Sequence, residues 1–188
     1  MTVAGVLLAA GGGRRFGMPK ALVRHRGRLF VEHAAQVLHE GGCVPVVVVL
    51  GASAAEVRAS ADLPGSSLVD NPEWTSGMGS SLRVGLRALD GVGADAALIL
   101  PVDTPGATAA AVRRFVALGG PDALARATYD GVPGHPVLIG RTRWADVAAT
   151  ASGDAGAREY LATHRPLAVP CEDVAEGADV DRPEDLPG

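Results

Sequence analysis

The chain has 188 residues, enough for one domain with a substantial core, and its 47% hydrophobic but only 4% aromatic content means that Ala, Val and Leu must fill that core. The formal net charge of −4 argues against a nucleic-acid surface, which needs a concentrated basic face. Two cysteines are too few for a disulfide framework and fit a reducing compartment, so we expect a cytoplasmic protein.

The first predicted strand, Val3–Ala9, is an apolar run that also resembles the core of a signal peptide. It lacks the basic segment that precedes such a core, and it is far shorter than the ~20 apolar residues of a membrane span. A helix follows, in which apolar residues recur at helical spacing from Phe30 to Leu38 before two glycines end it. Residues 44–50 form an uninterrupted apolar run, typical of a strand that is covered on both faces. We therefore expect a buried start to a parallel sheet and no contact with a membrane.

The remaining elements alternate in the same way. Further strands are predicted at residues 66–69, 96–102, 123–129, 136–139 and 167–169, and a last short strand ends near Asp181. Five further helices are predicted. The first begins at Ser53, which has capping-box spacing to Glu56. The second is marked by Leu82, Leu86 and Leu89, the third by Val112, Phe115 and Val116, and the last two cover residues 143–150 and 155–164. This alternation predicts an α/β fold in a single domain over residues 1–188, with three α/β/α layers of Rossmann-like type around a mainly parallel sheet.

A glycine-rich stretch directly after the first strand is the main candidate for phosphate binding. It runs Leu8-Ala9-Ala10-Gly11-Gly12-Gly13-Arg14-Arg15-Phe16-Gly17-Met18-Pro19-Lys20. Glycines let the backbone approach an anion closely, and Arg14, Arg15 and Lys20 add the positive charge that a triphosphate requires. The alternative is a turn with solvated charges. The position of the loop at the carboxyl end of a first strand, where open α/β sheets place their ligands, favours phosphate binding.

Two familiar nucleotide-binding patterns do not fit this stretch. A Walker A loop needs lysine and then serine or threonine directly after its last glycine, but Met18 and Pro19 follow Gly17. A dinucleotide fingerprint needs a third glycine where this chain has Phe16. The loop is therefore of another kind.

Two carboxylates follow predicted strands at the same edge of the sheet. Asp103 ends a very apolar strand, and Asp181 follows the last short one. Each aspartate has an alternative role as a helix cap. Asp103 can cap a helix that starts near Thr108, and Asp181 can cap one that starts at Pro183. Beside a phosphate loop both favour Mg²⁺, which binds one or two carboxylates together with substrate phosphates. We expect a structural role for Asp179.

The glycine-rich stretch resembles the LAAGxGxRxGxPK signature of the NTP-transferase (MobA-like) superfamily, and within it the molybdenum cofactor cytidylyltransferases of the MocA type. Four more segments carry the resemblance in the expected order: Asn71-Pro72-Glu73-Trp74 with Gly77-Met78-Gly79-Ser80-Ser81-Leu82; Leu100-Pro101-Val102-Asp103-Thr104-Pro105; Gly134-His135-Pro136-Val137-Leu138; and Asp179-Val180-Asp181-Arg182-Pro183-Glu184-Asp185-Leu186. The segments around Met78 and His135 narrow it to the MocA-like branch. The resemblance implies a nucleotidyltransferase fold of the GT-A type, Mg²⁺ as cofactor, and transfer of CMP from CTP to the molybdopterin cofactor with release of diphosphate.

The resemblance also implies roles for individual residues. It places catalysis on Arg14, Lys20 and Asp103, and Mg²⁺ on Asp103 and Asp181. It places nucleotide and acceptor binding on Leu8, Ala9, Ala10, Gly11, Gly12, Gly13, Lys20, Gly77, Met78, Gly79, Ser80, Ser81, Pro101 and His135. The residue types leave alternatives open, because a serine of this group can cap the following helix and His135 can be a packed residue. Asp154 also fits a helix cap, and Arg158 fits either a surface ion pair or a contact to the acceptor phosphate.

The chemistry that follows needs positioning and charge neutralisation rather than a covalent intermediate, because an acceptor phosphate is already an anion. The expected partners are the NTP, the phosphorylated acceptor and, transiently, a molybdoenzyme or its chaperone. Two other functions stay open. One is guanylyl transfer from GTP on the same scaffold, as in the MobA branch or the phospholactate guanylyltransferases. The other is a non-catalytic accessory protein that holds cofactor, against which Lys20 and Asp103 argue, since binding alone needs no metal-completing carboxylate.

Overall fold

The computed structural model describes residues 1–186, so Pro187 and Gly188 at the end of the predicted domain lie outside the described residues. The strands are β1 (Val3–Ala9), β2 (Arg24–His25), β3 (Arg28–Leu29), β4 (Val46–Leu50), β5 (Ser66–Asp70), β6 (Ala96–Pro101), β7 (Leu124–Tyr129), β8 (Val132–Gly140) and β9 (Leu167–Pro170). The helices are α1 (Phe30–Glu40), α2 (Ala54–Ser60), α3 (Met78–Arg87), α4 (Ala109–Ala117), α5 (Trp144–Thr150) and α6 (Arg158–His164). Within residues 1–186, no helix combines the length and the apolar composition needed to cross a membrane.

Seven of the strands form one sheet in the order β5-β4-β1-β6-β8-β7-β9, and β2 and β3 form a separate small hairpin. β8 is antiparallel to both of its neighbours, while the other pairings in the large sheet are parallel. Consecutive parallel strands need crossover connections, and helices supply those after β1, β4, β5 and β6. The predicted mainly parallel α/β/α architecture is confirmed.

Alternate residues of the central strands face two separate apolar cores. Along β4, Val46, Val48 and Leu50 belong to one core, whereas Val47 and Val49 belong to the other. The helices α1, α2 and α4 cover the first face of the sheet, and α3, α5 and α6 cover the second. Because side chains alternate along a strand and both faces are covered, the strand is apolar at every position.

The helix α3 lies very close to the central strand β1. A Cβ atom built on Gly85 would lie only 2.4 Å from Cγ1 of Val6, so the helix reaches this distance because position 85 has no side chain. Met78 is the first residue of α3. The close packing therefore also fixes the start of this helix relative to the end of β1, where the candidate site lies.

The structure corrects two local predictions. Ser53 precedes α2 in the left-handed conformation, with φ of 56°, and makes no side-chain capping hydrogen bond. The predicted capping box does not form, because a capping residue uses extended backbone. In the described part of the chain no strand ends near Asp181. That segment is held instead by single contacts, such as the Val180 amide, which donates to the Asp103 carbonyl at 2.8 Å.

Candidate active site

The candidate site lies where β1 and β6 end. These strands pair in parallel register with Leu8 opposite Pro101, so the loop after β1 starts beside the segment after β6. The structure thus places the glycine-rich loop, residues 10–20, and Asp103 together at the carboxyl edge of the parallel strands. Open α/β sheets bind ligands at this edge.

The curl of the glycine-rich loop requires glycine at position 13. Gly13 has a φ of +61°, and a Cβ atom built there would lie 1.8 Å from the carbonyl oxygen of Met18. The Gly13 carbonyl accepts hydrogen bonds from the amides of Phe16 and Gly17 at 3.0 and 2.8 Å. The amides of residues 11–15 donate no hydrogen bond to another group of the described chain. A curled loop with several available amide donors is suited to phosphate oxygens.

Lys20, the sole lysine of the chain, lies between two carboxylates. Its Nζ is 3.0 Å from Oδ2 of Asp103 and 2.9 Å from Oδ1 of Asp181. An ammonium is a compact point charge with three rotatable donors, whereas a guanidinium is a planar fork. The two aspartates therefore converge on one point that holds a small cation.

Asp181 reaches this point from the carboxyl-terminal segment. The neighbouring Val180 side chain is buried, and its amide bonds to the Asp103 carbonyl at 2.8 Å. On the other side, Oδ2 of Asp185 accepts from the Asp181 amide at 3.1 Å. These contacts fix the backbone on both sides of the Asp181 carboxylate.

The charges of the site shift the pKa values of its members. Burial alone would lower the pKa of Lys20, but the adjacent Asp103 and Asp181 together raise it above its usual value. The hydrogen bond from Lys20 lowers the pKa of Asp181. Asp179 differs, because burial and then the charges of Asp103 and Asp181 raise its pKa to about 6. Asp179 therefore lies within electrostatic reach of the pair, and the structural role expected for it stays a prediction.

The two arginines of the loop differ in their contacts. Nη1 of Arg15 lies 3.1 Å from Oδ2 of Asp181. Arg14 is exposed and forms no ion pair with the described residues. The structure therefore brings together Lys20, Asp103 and Asp181 and adds Arg15 to them. A role for Arg14 on a bound triphosphate stays a prediction.

The hydroxyl groups of Ser80 and Ser81 are both held by Asn71. Its Nδ2 donates to the two Oγ atoms at 2.8 and 3.0 Å, and all three residues are buried. Neither serine caps α3, because the N-cap position is Gly77 and no side-chain capping bond forms there. Met78, by contrast, lines a cavity. Base recognition by residues 77–81 stays a prediction.

His135 lines that same small cavity, whose volume is about 130 Å³. Burial, and then the charge of Arg126, lower the pKa of His135 to about 4, with Asp103 opposing the shift. The imidazole is therefore neutral at neutral pH. Arg158 also lines this cavity. The sequence allowed two roles for Arg158, a surface ion pair or a contact to the acceptor phosphate.

Arg126 is a site residue that the sequence analysis missed. It lies in β7 between the buried Ala125 and Ala127, and Nε donates to the Gly134 carbonyl at 3.1 Å. Burial, and then the charge of Arg158, lower the pKa of Arg126. Arg126 could have been recognised from the sequence, because it is a charged residue inside a largely apolar predicted strand.

The residues fit a divalent cation. Lys20 shows that Asp103 and Asp181 together hold one cation, and carboxylate oxygens are ligands that Mg²⁺ and Mn²⁺ prefer. No group of three or more His, Cys, Asp or Glu side chains within residues 1–186 is arranged to hold a metal. The remaining ligands would therefore be substrate phosphates and water, as is usual for Mg²⁺ in nucleotide sites.

A larger concavity, of about 870 Å³, lies between the β2–β3 hairpin, the start of α1 and residues 172–176. None of the predicted site residues lines it. We locate the site by its amides and carboxylates rather than by volume.

Comparison with known proteins covers nearly the whole chain. The family described as MobA-like NTP transferase domain matches residues 5–168. A relative from Paenarthrobacter nicotinovorans, named nicotine blue oxidoreductase, is 41% identical over 194 residues, which cover 98% of this chain and 94% of the relative. Two proteins named probable molybdenum cofactor guanylyltransferase, from Bacillus cytotoxicus and Opitutus terrae, are 32% and 34% identical. They match 55% and 57% of this chain and 50% and 51% of their own lengths.

Solved structures share the fold. Rv0371c from Mycobacterium tuberculosis H37Rv has a TM-score of 0.83 at 28% identity, over 98% of this chain and 95% of its own. Its complex with manganese has a TM-score of 0.76 at 28% identity, over 90% of this chain and 89% of its own. A nucleotidyl transferase from Methanothermobacter thermautotroptrophicus has a TM-score of 0.79 at 20% identity, over 98% of this chain and 94% of its own. Divalent-cation binding therefore occurs among the structural relatives of this chain.

Proposed function

The chain belongs to the MobA-like NTP transferase family, and from that premise we propose that it transfers CMP from CTP to a phosphorylated acceptor, the molybdopterin cofactor. Diphosphate is the second product. Membership of the family supports a nucleotidyltransferase activity. The nucleotide, the acceptor and Mg²⁺ are the proposed parts.

The observation that carries the proposal is the position of Lys20 between Asp103 and Asp181, beside the available amides of residues 11–15. The amides are suited to the oxygens of a triphosphate, and the carboxylates to a cation that accompanies it. A protein that only held a cofactor would have no need of two carboxylates converging on one cation.

In the proposed reaction, an oxygen of the acceptor phosphate attacks the α-phosphorus of the nucleotide. The bond from the α-phosphorus to its bridging oxygen breaks, and diphosphate leaves with the electron pair. The attacking phosphate is already an anion, so no side chain has to remove a proton. The loop amides orient the triphosphate for in-line attack, and the Lys20 charge stabilises the departing oxygens.

Asp103 and Asp181 would hold the divalent cation, which neutralises charge on the phosphates when it is bound. Competition for the same carboxylate oxygens would release the Lys20 ammonium. Four rotatable bonds then allow this side chain to turn to a phosphate oxygen. Lys20 thus has two alternative partners, the carboxylates or the triphosphate.

CTP is proposed because residues 77–82 and 134–138 resemble the MocA-type cytidylyltransferases. The two named guanylyltransferases favour GTP, but each matches only about half of this chain. A site that hydrogen-bonds one base edge rejects the wrong base, since each unpaired polar group costs roughly 1–3 kcal/mol. We expect CTP to exceed GTP by at least about tenfold in kcat/KM.

The test is diphosphate release with each of the four NTPs, with and without molybdopterin cofactor, in Mg²⁺, in Mn²⁺ and after chelation. We expect release with CTP only when the acceptor and a divalent cation are both present. A preference for GTP would overturn the choice of nucleotide. Release with a different phosphorylated acceptor, but none with molybdopterin, would overturn the acceptor.

A redox function is the second candidate, because the relative that is 41% identical over 98% of the chain is named an oxidoreductase. Neither Cys43 nor Cys171 is suited to the redox step: both are buried, and burial raises the pKa of the Cys43 thiol to about 12. A redox activity would therefore need a bound redox cofactor, and a dinucleotide is one whose diphosphate the loop amides could hold. Oxidation of NADH or NADPH with nicotine blue, and no diphosphate release from any NTP, would establish it in place of nucleotidyl transfer.

The wider setting follows from the same proposal. Residues 1–188 would act as one catalytic domain in the cytoplasm, where thiols such as Cys43 stay reduced. The dinucleotide product would pass to a molybdoenzyme or its chaperone through a transient contact. Fractionation of cells and co-purification with a molybdoenzyme would test these two statements.

A further inference from the structure

Two arginines line the cavity beside His135, and neither has a carboxylate partner among the described residues. Arg126 and Arg158 both line it, yet neither forms an ion pair with any residue in the described range, 1–186. Arg126 is half-buried, and its one side-chain hydrogen bond to a protein group is the bond from Nε to the Gly134 carbonyl. Most of the donors of these two arginines are thus open to the cavity or to solvent.

Arg126 is half-buried and Arg158 is exposed, and both line this one small cavity. Two like charges that share a cavity are unfavourable unless an anion lies between them. Burial, and then the charge of Arg158, lower the pKa of Arg126. Arginine pairs commonly bind phosphate by parallel N–H···O bonds. The arrangement of these two arginines is therefore suited to a phosphate or another oxyanion.

The size of the cavity limits what it can hold. Its volume of about 130 Å³ equals roughly four water molecules at ~30 Å³ each. That volume suits one tetrahedral oxyanion with a short attached chain. Leu82, Ile99 and Val137 form an apolar part of the lining, which suits an attached carbon chain.

The remaining polar groups of the cavity are His135, Asp154 and Asp179. His135 is neutral at neutral pH and can donate one hydrogen bond without adding charge. Asp154 is exposed, beside Gly77, and Asp179 lies towards the Asp103 and Asp181 pair.

We propose that Arg126 and Arg158 bind the phosphate group of the acceptor substrate, with neutral His135 as an additional donor. This inference rests on the proposed function, which requires a phosphorylated acceptor. It separates the site into a nucleotide side, made by the loop and Lys20, and an acceptor side, made by two arginines. The attacking oxygen then approaches from the arginine side.

The test is titration with inorganic phosphate, without nucleotide or metal, followed by NMR of the arginine Nε–Hε groups. Arg126→Gln and Arg158→Gln assign the two resonances by deleting them. Arg87 is the matched control, because it is exposed at the far end of α3 and has no partner among the described residues. We expect the Arg126 and Arg158 resonances to shift with one dissociation constant while Arg87 does not move.

The nucleotide side is excluded with Lys20→Met, in which phosphate should shift the Arg126 resonance with a dissociation constant within about twofold of wild type. Arg158→Gln should weaken the same binding roughly tenfold, as expected for a lost charge-assisted contact. An Arg126 resonance that stays still, that moves with Arg87, or that depends on Lys20 would overturn the proposal. The titration contains no NTP, so its outcome is independent of whether diphosphate release is ever observed.

The His135 ring gives a second readout in the wild-type protein. A bound anion favours the imidazolium, so phosphate should raise the pKa of His135 from about 4. Histidine NMR at increasing pH, with and without phosphate, measures this shift. An unchanged pKa under saturating phosphate would remove His135 from the proposed anion site.

Discussion

The two proposed sides of the site, one for the nucleotide and one for the acceptor, are built in different ways. On the nucleotide side, the donors are consecutive backbone amides of one loop, residues 11–15, and their geometry depends on Gly13 within the same loop. On the acceptor side, Arg126 comes from β7, His135 from β8 and Arg158 from α6. One side is local in sequence, whereas the other exists only once three separate elements have packed together.

This difference bears on what each side tolerates. Backbone amides are present whatever the side chains are, so the loop depends mainly on its turn. Side-chain groups from three elements depend on the packing of all three. We therefore expect substitutions to have large effects at a few positions of the nucleotide side. On the acceptor side we expect smaller effects at more positions.

The largest expected effect is at Asp103. Asp103→Asn keeps the shape of the side chain but removes half of the charge that converges on the cation, so kcat should fall roughly 100-fold or more. Asp90→Asn, at an exposed position after α3, is the control and should keep wild-type turnover. Diphosphate release measures both, and circular dichroism checks the fold. Wild-type turnover in Asp103→Asn would show that the cation does not need this carboxylate.

The next effect is at Lys20. Lys20→Met should lower kcat/KM for the nucleotide roughly 30-fold, the scale of one charge-assisted hydrogen bond, through both binding and rate. Lys20→Arg should restore little, because a planar guanidinium does not replace a compact ammonium between Asp103 and Asp181. Full recovery in Lys20→Arg would mean that charge alone matters there. The KM for the acceptor should stay unchanged, which separates the two sides.

The sequence allowed prediction of the nucleotide side more completely than of the acceptor side. β1 has the predicted bounds, and the strand order places the glycine loop beside Asp103 as expected. Alternating burial and strand ends are local signals, so they can be recognised without tertiary contacts. Asp181 was predicted as a metal ligand because it follows an expected short strand, and that strand does not form. Single backbone contacts hold the segment instead, and no periodicity in the sequence indicates them. Arg126 was missed because its significance lies in Arg158, 32 positions later in the chain.

A smaller effect is expected on stability at low pH. Burial, and then the charge of Arg126, hold the pKa of His135 at about 4, against 6.5 for the free side chain. The folded state therefore favours the neutral ring, and this contribution is complete above pH ~6.5 and is lost as pH falls towards 4. From pH 7 to pH 5.5, wild type should lose about 1 kcal/mol more unfolding free energy than His135→Asn.

Urea unfolding at the two pH values measures that difference, which is a comparison between variants because other groups also titrate. Asp103 opposes the shift and Arg126 favours it, so Arg126→Gln should reduce the difference. Equal pH dependence in wild type and His135→Asn would show that the ring is not held neutral. The acceptor side would then lack the packing that distinguishes it from the loop.

The smallest effect is expected where the nucleotide side meets solvent. Asp181 accepts contacts from both Lys20 and Arg15, but the Lys20 side chain is only 15% exposed while that of Arg15 is 68% exposed. An exposed ion pair contributes little, since water screens it and two long side chains lose freedom. Arg15→Gln should therefore change the free energy of unfolding by less than about 0.5 kcal/mol in the absence of nucleotide. Urea unfolding measures this, and the effect should shrink further in high salt. If the variant nevertheless has a higher KM for the nucleotide, Arg15 acts on the triphosphate rather than on the fold. A loss of stability well above this limit would show instead that the Asp181 segment depends on Arg15 to stay beside Asp103.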